Sequence, residues 1–174
     1  MTAPITFHRY TLPALTGVEG WGIFLIDSTG MFAAVTDYGN YAYKWSNYGN
    51  GDFRKFVIDI ARSPDYVVEK LCQDYKKEYR GAETFKSIKE YIIESRRYGS
   101  LTKNHAREEW NILCDPDYEE LSYIETFHDW YQKTTIEYAS EFPIYDYPRS
   151  AYAMAQKLLP RLAVIIQQEL EQSA

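Results

Sequence analysis

Between Trp21 and Trp45 the chain alternates short β-rich runs with tight turns, and this rhythm constrains the fold more than any other feature. Trp21 to Asp27 contains an unbroken Ile-Phe-Leu-Ile run, the pattern of a strand buried on both faces. Asp27-Ser-Thr-Gly30 follows, a turn with glycine where a positive φ is expected. Met31 to Thr36 reads as the next strand, Asp37-Tyr-Gly-Asn40 as a second turn, and Tyr41 to Trp45 as an alternating strand. Upstream, Ile5 to Leu12 is β-rich and ends at Pro13. Connections this short join antiparallel neighbours, so the expectation is a four-stranded meander.

After Trp45 the hydrophobic period changes to that of helices. Asp52 is placed to cap a helix carrying Phe53, Phe56, Val57 and Ile60 on one face. Ser63-Pro64 opens another, with Ser63 as N-cap, carrying Val67, Val68 and Leu71. Thr84 to Tyr98 has Phe85, Ile88 and Ile92 in helical register and stops at Gly99. Thr102 opens a helix with Ala106, Trp110 and Leu113 aligned. Asp115-Pro116 begins a longer one whose apolar side is Leu121, Ile124, Tyr131 and Tyr138. Phe142 to Pro148 reads as an extended loop. Ser150 starts the last helix, which Pro160 should kink or split. Strands followed by five to six helices predict an α+β fold. The expectation is one domain over 1–174, with a sheet portion at 1–48, a helical portion at 49–174, and the early helices covering one sheet face.

Composition excludes some classes of function. Apolar residues make up 45% and charged residues 25%, values of an ordinary globular chain. No apolar run approaches the roughly 18 residues of a membrane span. The N-terminus lacks the basic start and apolar stretch of a signal peptide. Cys72 and Cys114 read as reduced core residues rather than a disulfide framework. The expectation is a cytoplasmic protein of the cell in which it is made, with no membrane contact and no cofactor. The net charge of −6 is unevenly spread. Residues 76–107 hold nine Lys/Arg against four Asp/Glu, whereas 115–148 hold nine Asp/Glu against one Lys. Such segregation either pairs neighbouring helices within the fold or steers a charged partner.

Motifs with catalytic spacing are few. Glu125-x-x-His128 has the spacing of helix-bundle di-iron sites, but these need a second copy and further carboxylates, and the chain has only three histidines. A partly buried His128 sharing a face with Leu121, Ile124 and Tyr131 is the plainer reading. His105 near Glu108 and Glu109 reads as a charged, solvated helix face. Pro64-Asp65 followed by Asp74-x-Lys76 echoes a metal-dependent nuclease pattern, yet it sits on a helix rather than at a sheet edge. Neither cysteine has a histidine nearby in sequence, and no glycine-rich phosphate loop is present.

Two groups remain as candidate binding residues. Tyr41, Tyr43 and Trp45 project from one face of a strand and can stack flat partners, as aromatic sheet platforms do for nucleobases. With Lys44 the only basic residue nearby and an acidic chain overall, electrostatics argue against direct nucleic-acid binding. Covering of this row by the helices after Asp52 is the preferred alternative. The second group is Asp117, Glu119, Glu120, Glu125 and Asp129, acids whose helical spacing can mimic phosphates and occupy a basic cleft.

The stretches Ile-Phe-Leu-Ile-Asp-Ser-Thr-Gly, Thr-Asp-Tyr-Gly-Asn-Tyr-Ala-Tyr-x-Trp and Gly-Asp-Phe-Arg-Lys-Phe resemble those of a family of small phage- and prophage-encoded proteins. Ile-Lys-Glu-Tyr-Ile-Ile-Glu-Ser-Arg-Arg and Ala-Arg-Glu-Glu-Trp are similar to the same group. The resemblance covers about residues 20–113. It implies phage accessory biology and brings no catalytic residues with it. The function expected from it is binding of a host protein, such as a component of a defence or DNA-processing system. An enzyme with a non-contiguous site, for instance a nuclease or other hydrolase, and a structural or assembly protein are the alternatives. The oligomeric state is left open.

Overall fold

A computed structural model describes residues 4–15, 17–49, 51–114 and 124–173. The elements are β1 (Phe7–Leu12), β2 (Gly22–Asp27), β3 (Met31–Thr36), β4 (Gly39–Lys44), α1 (Phe53–Ile60), α2 (Pro64–Leu71), β5 (Glu78–Tyr79), α3 (Gly81–Tyr98), α4 (Lys103–Leu113), α5 (Ile124–Lys133), β6 (Tyr145–Asp146), α6 (Arg149–Ala153) and α7 (Leu159–Gln172). The class is α+β, with the antiparallel sheet ordered β1-β2-β3-β4 as the turns predicted. The chain forms two compact units. One comprises residues 1–76 and 147–174, the other residues 77–146.

In the first unit the turns are built by side chains as well as by glycine. Asp27 Oδ1 accepts from Thr29 N–H at 2.8 Å, Thr29 Oγ1 at 2.8 Å and Met31 N–H at 2.9 Å. Gly30 adopts φ +93°, and a Cβ there would run into the Trp45 carbonyl. Only glycine fits both demands. Registers Phe24↔Ala34 and Ala34↔Tyr41 align one apolar face, with Phe24, Ile26, Phe32, Tyr41 and Trp45 buried on it. Against this face pack α1, α2 and the C-terminal helices, through Phe53, Val57, Val68, Leu158 and Leu162. The sheet is therefore covered by early helices and by the end of the chain together. Asp52 caps α1 by accepting from Arg54 N–H, as expected. Ser63 holds the N-cap position of α2 but makes no side-chain capping bond. The last helix is split where proline predicted a disturbance. Residues Met154–Leu158 form a π-helical stretch between α6 and α7, ending just before Pro160, whose missing N–H cannot serve an α-helical ladder.

The expectation of burial on both faces of β2 fails. Leu25 remains 43% exposed and Val35 on β3 49% exposed, because helices cover only the face carrying Phe24 and Ile26.

The second unit has its own core of Phe85, Ile88, Ile92, Leu113, Phe127 and Trp130. Thr102 caps α4 by accepting from His105 N–H, and Gly99 ends α3 in the left-handed conformation at φ +81°. The stretch read as a loop at 142–148 contains β6, which pairs with β5 through Tyr79↔Tyr145. On α5 the buried face is Phe127 and Trp130, so His128 and Tyr131 turn outward. Tyr138 lies beyond the helix, at φ 58°. Two large aromatic side chains decided the rotation of α5 against the predicted stripe. Cys114 is exposed, at the C-terminal cap of α4, rather than in a core.

Candidate functional site

The candidate binding row Tyr41, Tyr43, Trp45 points at the helices of the first unit. Tyr41 and Trp45 are buried and Tyr43 is half-buried. Trp45 stands 4.7 Å from the Tyr43 ring and donates from Nε1 to the Tyr66 hydroxyl at 3.0 Å. In this position the row fills a core rather than presenting flat faces. Asp117, Glu119 and Glu120 lie outside the described residues. Glu125 and Asp129 are exposed on α5, one turn apart on the same side. Among the described residues no three His, Cys, Asp or Glu side chains gather where they can hold a metal ion, and Glu125 and His128 both face solvent.

Two other arrangements come from the tertiary fold. The first is polar. Arg54 on α1 forks between Asp52, its own helix cap, and Glu169 on α7 at 2.9 Å. His8 Nδ1 lies 3.7 Å from the same Glu169 oxygen. The Tyr10 hydroxyl, buried and without a hydrogen-bond partner among the described residues, sits beside Glu169 and Arg54. Burial, reinforced by the Glu169 carboxylate, pushes the Tyr10 phenol up to about 12. The Arg54 hydrogen bond holds the Asp52 carboxyl below the ordinary carboxylate range, although burial opposes it. A pocket of about 300 Å³ opens alongside, lined by Thr6, His8, Ser28 and Asp52 among others. Both carboxylates are held by Arg54, so the cluster's first role is to tie α1, α7 and β1 together.

The second arrangement is the sheet face that none of the described helices of the first unit covers. Its central strands present Ile23 and Leu25 on β2, and Met31, Ala33 and Val35 on β3. Its edge strands present Arg9 and Thr11 on one side, Asn40 and Lys44 on the other. Phe7 extends the apolar surface at one corner and is 68% exposed. Asp27, the one acid in the same alternation on β2, is itself buried and spent on its own turn. An apolar centre framed by polar edges is the anatomy of a protein-binding surface. An antiparallel sheet with one solvated face ordinarily carries polar residues there.

Residues 4–168 match the model of a family described as a phage family, Phage_phiTE_072. The chain belongs to this phage family. The match extends past the stretch 20–113 that carries the resemblance in sequence, and it spans both compact units. No curated protein and no solved structure matches the chain. Among the described residues of this phage-family protein, no helix is long and apolar enough to cross a membrane.

Sequence reasoning missed both arrangements. The uncovered face was hidden because Ile-Phe-Leu-Ile looks alike whether one or both sides are buried. The polar cluster joins residues up to 161 positions apart, and no local signal marks it.

Proposed function

We propose that this protein acts by binding a host protein, and that the uncovered face of the four-stranded sheet is the binding surface. The observation that carries the reading is the centre of exposed Leu25, Met31 and Val35 and half-buried Ile23 between polar edge strands. Exposed apolar area of this kind costs solubility and marks interaction sites. Six residues by four strands span about 20 Å by 19 Å, which is a compact but sufficient centre for an interface. A second copy of the chain fits the face poorly. Either two-fold stacking of like sheets brings Arg9 and Lys44 against cations. Inhibition of a defence or DNA-processing system is the consequence such binding would have in a phage setting.

The test is affinity capture from host lysate with tagged wild-type protein and with the Leu25→Asp/Val35→Asp double variant, each checked for folding by circular dichroism. The expected result is one stoichiometric partner with the wild type and none with the variant. Identical partners for both would exclude this face. The enzyme reading retains one observation, His8 beside Glu169 at the 300 Å³ pocket. It predicts a hydrolytic activity abolished by His8→Ala, whereas the binding reading predicts His8→Ala to leave partner capture unchanged.

A further inference from the structure

The second unit carries a groove between α3 and α4 whose chemistry is opposite to that of the chain as a whole. The two helices are joined by residues 99–102, with the Gly99 cap and a Leu101 N–H to Ser95 carbonyl bond of 3.1 Å fixing the turn. Ile92 and Ala106 form the buried floor of the groove, and Ile93 and Trp110 its exposed walls. The space is about 470 Å³. Around it stand Arg96 and Arg97 from α3 and Arg107 from α4, and among the described residues no carboxylate lines it. Lys89 and Lys103 each lie one turn before these walls, on the same sides of their helices.

Several cations elsewhere in the protein have carboxylate partners. Arg54 is paired with Asp52, Arg80 with Glu78, and Lys86 with Glu90. Arg96, Arg97 and Arg107 have no ion pair among the described residues. Three unpaired guanidinium groups around an exposed indole and isoleucine, in a chain of net charge −6, form a local reversal of sign.

We infer that this groove is a docking site for an acidic amphipathic helix of a partner protein. The chemistry selects that occupant at three points. The floor and walls are apolar, so the ligand must bring apolar side chains, as an i, i+4 pair seated between Ile93 and Trp110 does. The charged residues described at the rim are all arginines, so carboxylates on the flanks of the same helix meet guanidinium forks that bind them bidentately. The lining runs from Ala106 to Trp110 on α4, about 6 Å along the axis, which matches a little over one turn of a partner helix. A nucleic acid fits less well. Its phosphates would suit the arginines, but the aliphatic floor offers only one aromatic ring for stacking. The groove is separate from the sheet face of the first unit, and this inference stands or falls independently of that one.

The test uses the full chain and a fluorescein-labelled synthetic helix of about fourteen residues, with leucines at i, i+4, i+7 and i+11 and glutamates on both flanks. A control peptide carries lysines in place of the glutamates, and a single-stranded DNA of similar length is the second control. Fluorescence anisotropy is read at about 50 mM and about 500 mM salt, a range over which screening of exposed charges changes strongly. The expected result is saturable binding of the acidic peptide and none of the basic peptide. Affinity should fall about tenfold or more in Arg96→Glu/Arg97→Glu/Arg107→Glu and at high salt. The substituted positions are all exposed, so the variant should keep its circular dichroism spectrum and its thermal midpoint. The Leu25→Asp/Val35→Asp variant should bind the peptide as the wild type does. Four results would each overturn the inference: no binding of the acidic peptide, equal binding of the basic peptide, DNA binding lost in the triple variant, or dimerisation lost in that variant.

Discussion

Glu109 should be the most costly charged residue of the second unit to remove. Its side chain is 2% exposed. Oε2 accepts from Thr134 Oγ1 at 2.7 Å, and Oε1 accepts from Thr135 N–H at 2.9 Å and from Thr135 Oγ1 at 2.8 Å. The Thr135 hydroxyl donates to Glu109, so the His105 Nε2 that lies 2.6 Å from the same hydroxyl must be the donor in that contact. The carboxylate thus clamps the segment after α5 onto α4. Replacing Glu109 with alanine strands the Thr135 amide and both hydroxyls and opens a cavity. Hydrogen bonds to a charged acceptor are each worth about 1.5–3 kcal/mol, and as a shared set they are not additive, so the loss should be about 3–5 kcal/mol. Glutamine keeps the shape and its oxygen can still accept from Thr135, but it loses the charge and its NH2 cannot accept from the Thr134 hydroxyl, a cost of about 1–2 kcal/mol. Hydrogen–deuterium exchange of the peptide holding Thr134 to Ile136 reads this directly, since about 1.4 kcal/mol is tenfold in the opening equilibrium. Glu109→Ala should raise exchange there about a hundredfold or more, and Glu109→Gln about tenfold. Exposed Glu108→Ala is the control and should change little. If Glu109→Ala behaves like Glu108→Ala, the buried carboxylate does not clamp the two segments.

Burial alone would raise the Asp27 carboxyl, but the bonds from Met31 and Thr29, helped by Lys44, outweigh it and hold the carboxyl below its usual range. A depressed folded pKa contributes stability that is complete above the unfolded value of about 3.9 and is lost as pH falls through the folded one. The thermal midpoint of the wild type should therefore fall more steeply below about pH 4 than that of Asp27→Asn, and parallel curves would contradict the turn's role. Gly30→Ala should destabilise by about 2–4 kcal/mol, from the left-handed backbone and the obstructing Trp45 carbonyl, as read by chemical denaturation; a loss below about 1 kcal/mol would mean the turn can shift. Ellman's reagent should titrate one thiol in the native protein, the exposed Cys114, and two after unfolding, because Cys72 is buried and its burial pushes the thiol pKa up. Two fast thiols in the native state would place Cys72 outside the core. If the acids of α5 mimic phosphates, Glu125→Lys/Asp129→Lys should weaken host-partner capture severalfold, each exposed pair being worth up to about 1 kcal/mol. Unchanged capture would remove the mimicry.

Features governed by neighbours along the chain are legible in the sequence. The order and antiparallel pairing of β2, β3 and β4 follow from Asp27-Ser-Thr-Gly30 and Asp37-Tyr-Gly-Asn40, because turns this short leave adjacent strands no choice but antiparallel pairing. Asp52 and Thr102 act as caps, Gly99 ends α3, and Pro160 disturbs the last helix, each through steric or hydrogen-bonding rules reaching no further than one helical turn. Other features depend on which distant surface arrives first at an apolar face. Both sides of β2 are apolar, and only the approach of α1, α2 and α7 decides that Phe24 is buried while Leu25 is left open. The same competition rotates α5 to bury Phe127 and Trp130 and turns His128 out. It also buries Glu109, whose partners Thr134 and Thr135 lie 25 and 26 residues away. The uncovered sheet face, the α3–α4 groove and the Arg54 cluster were therefore decided by tertiary packing, because burial belongs to pairs of surfaces and a sequence states only one member of each pair.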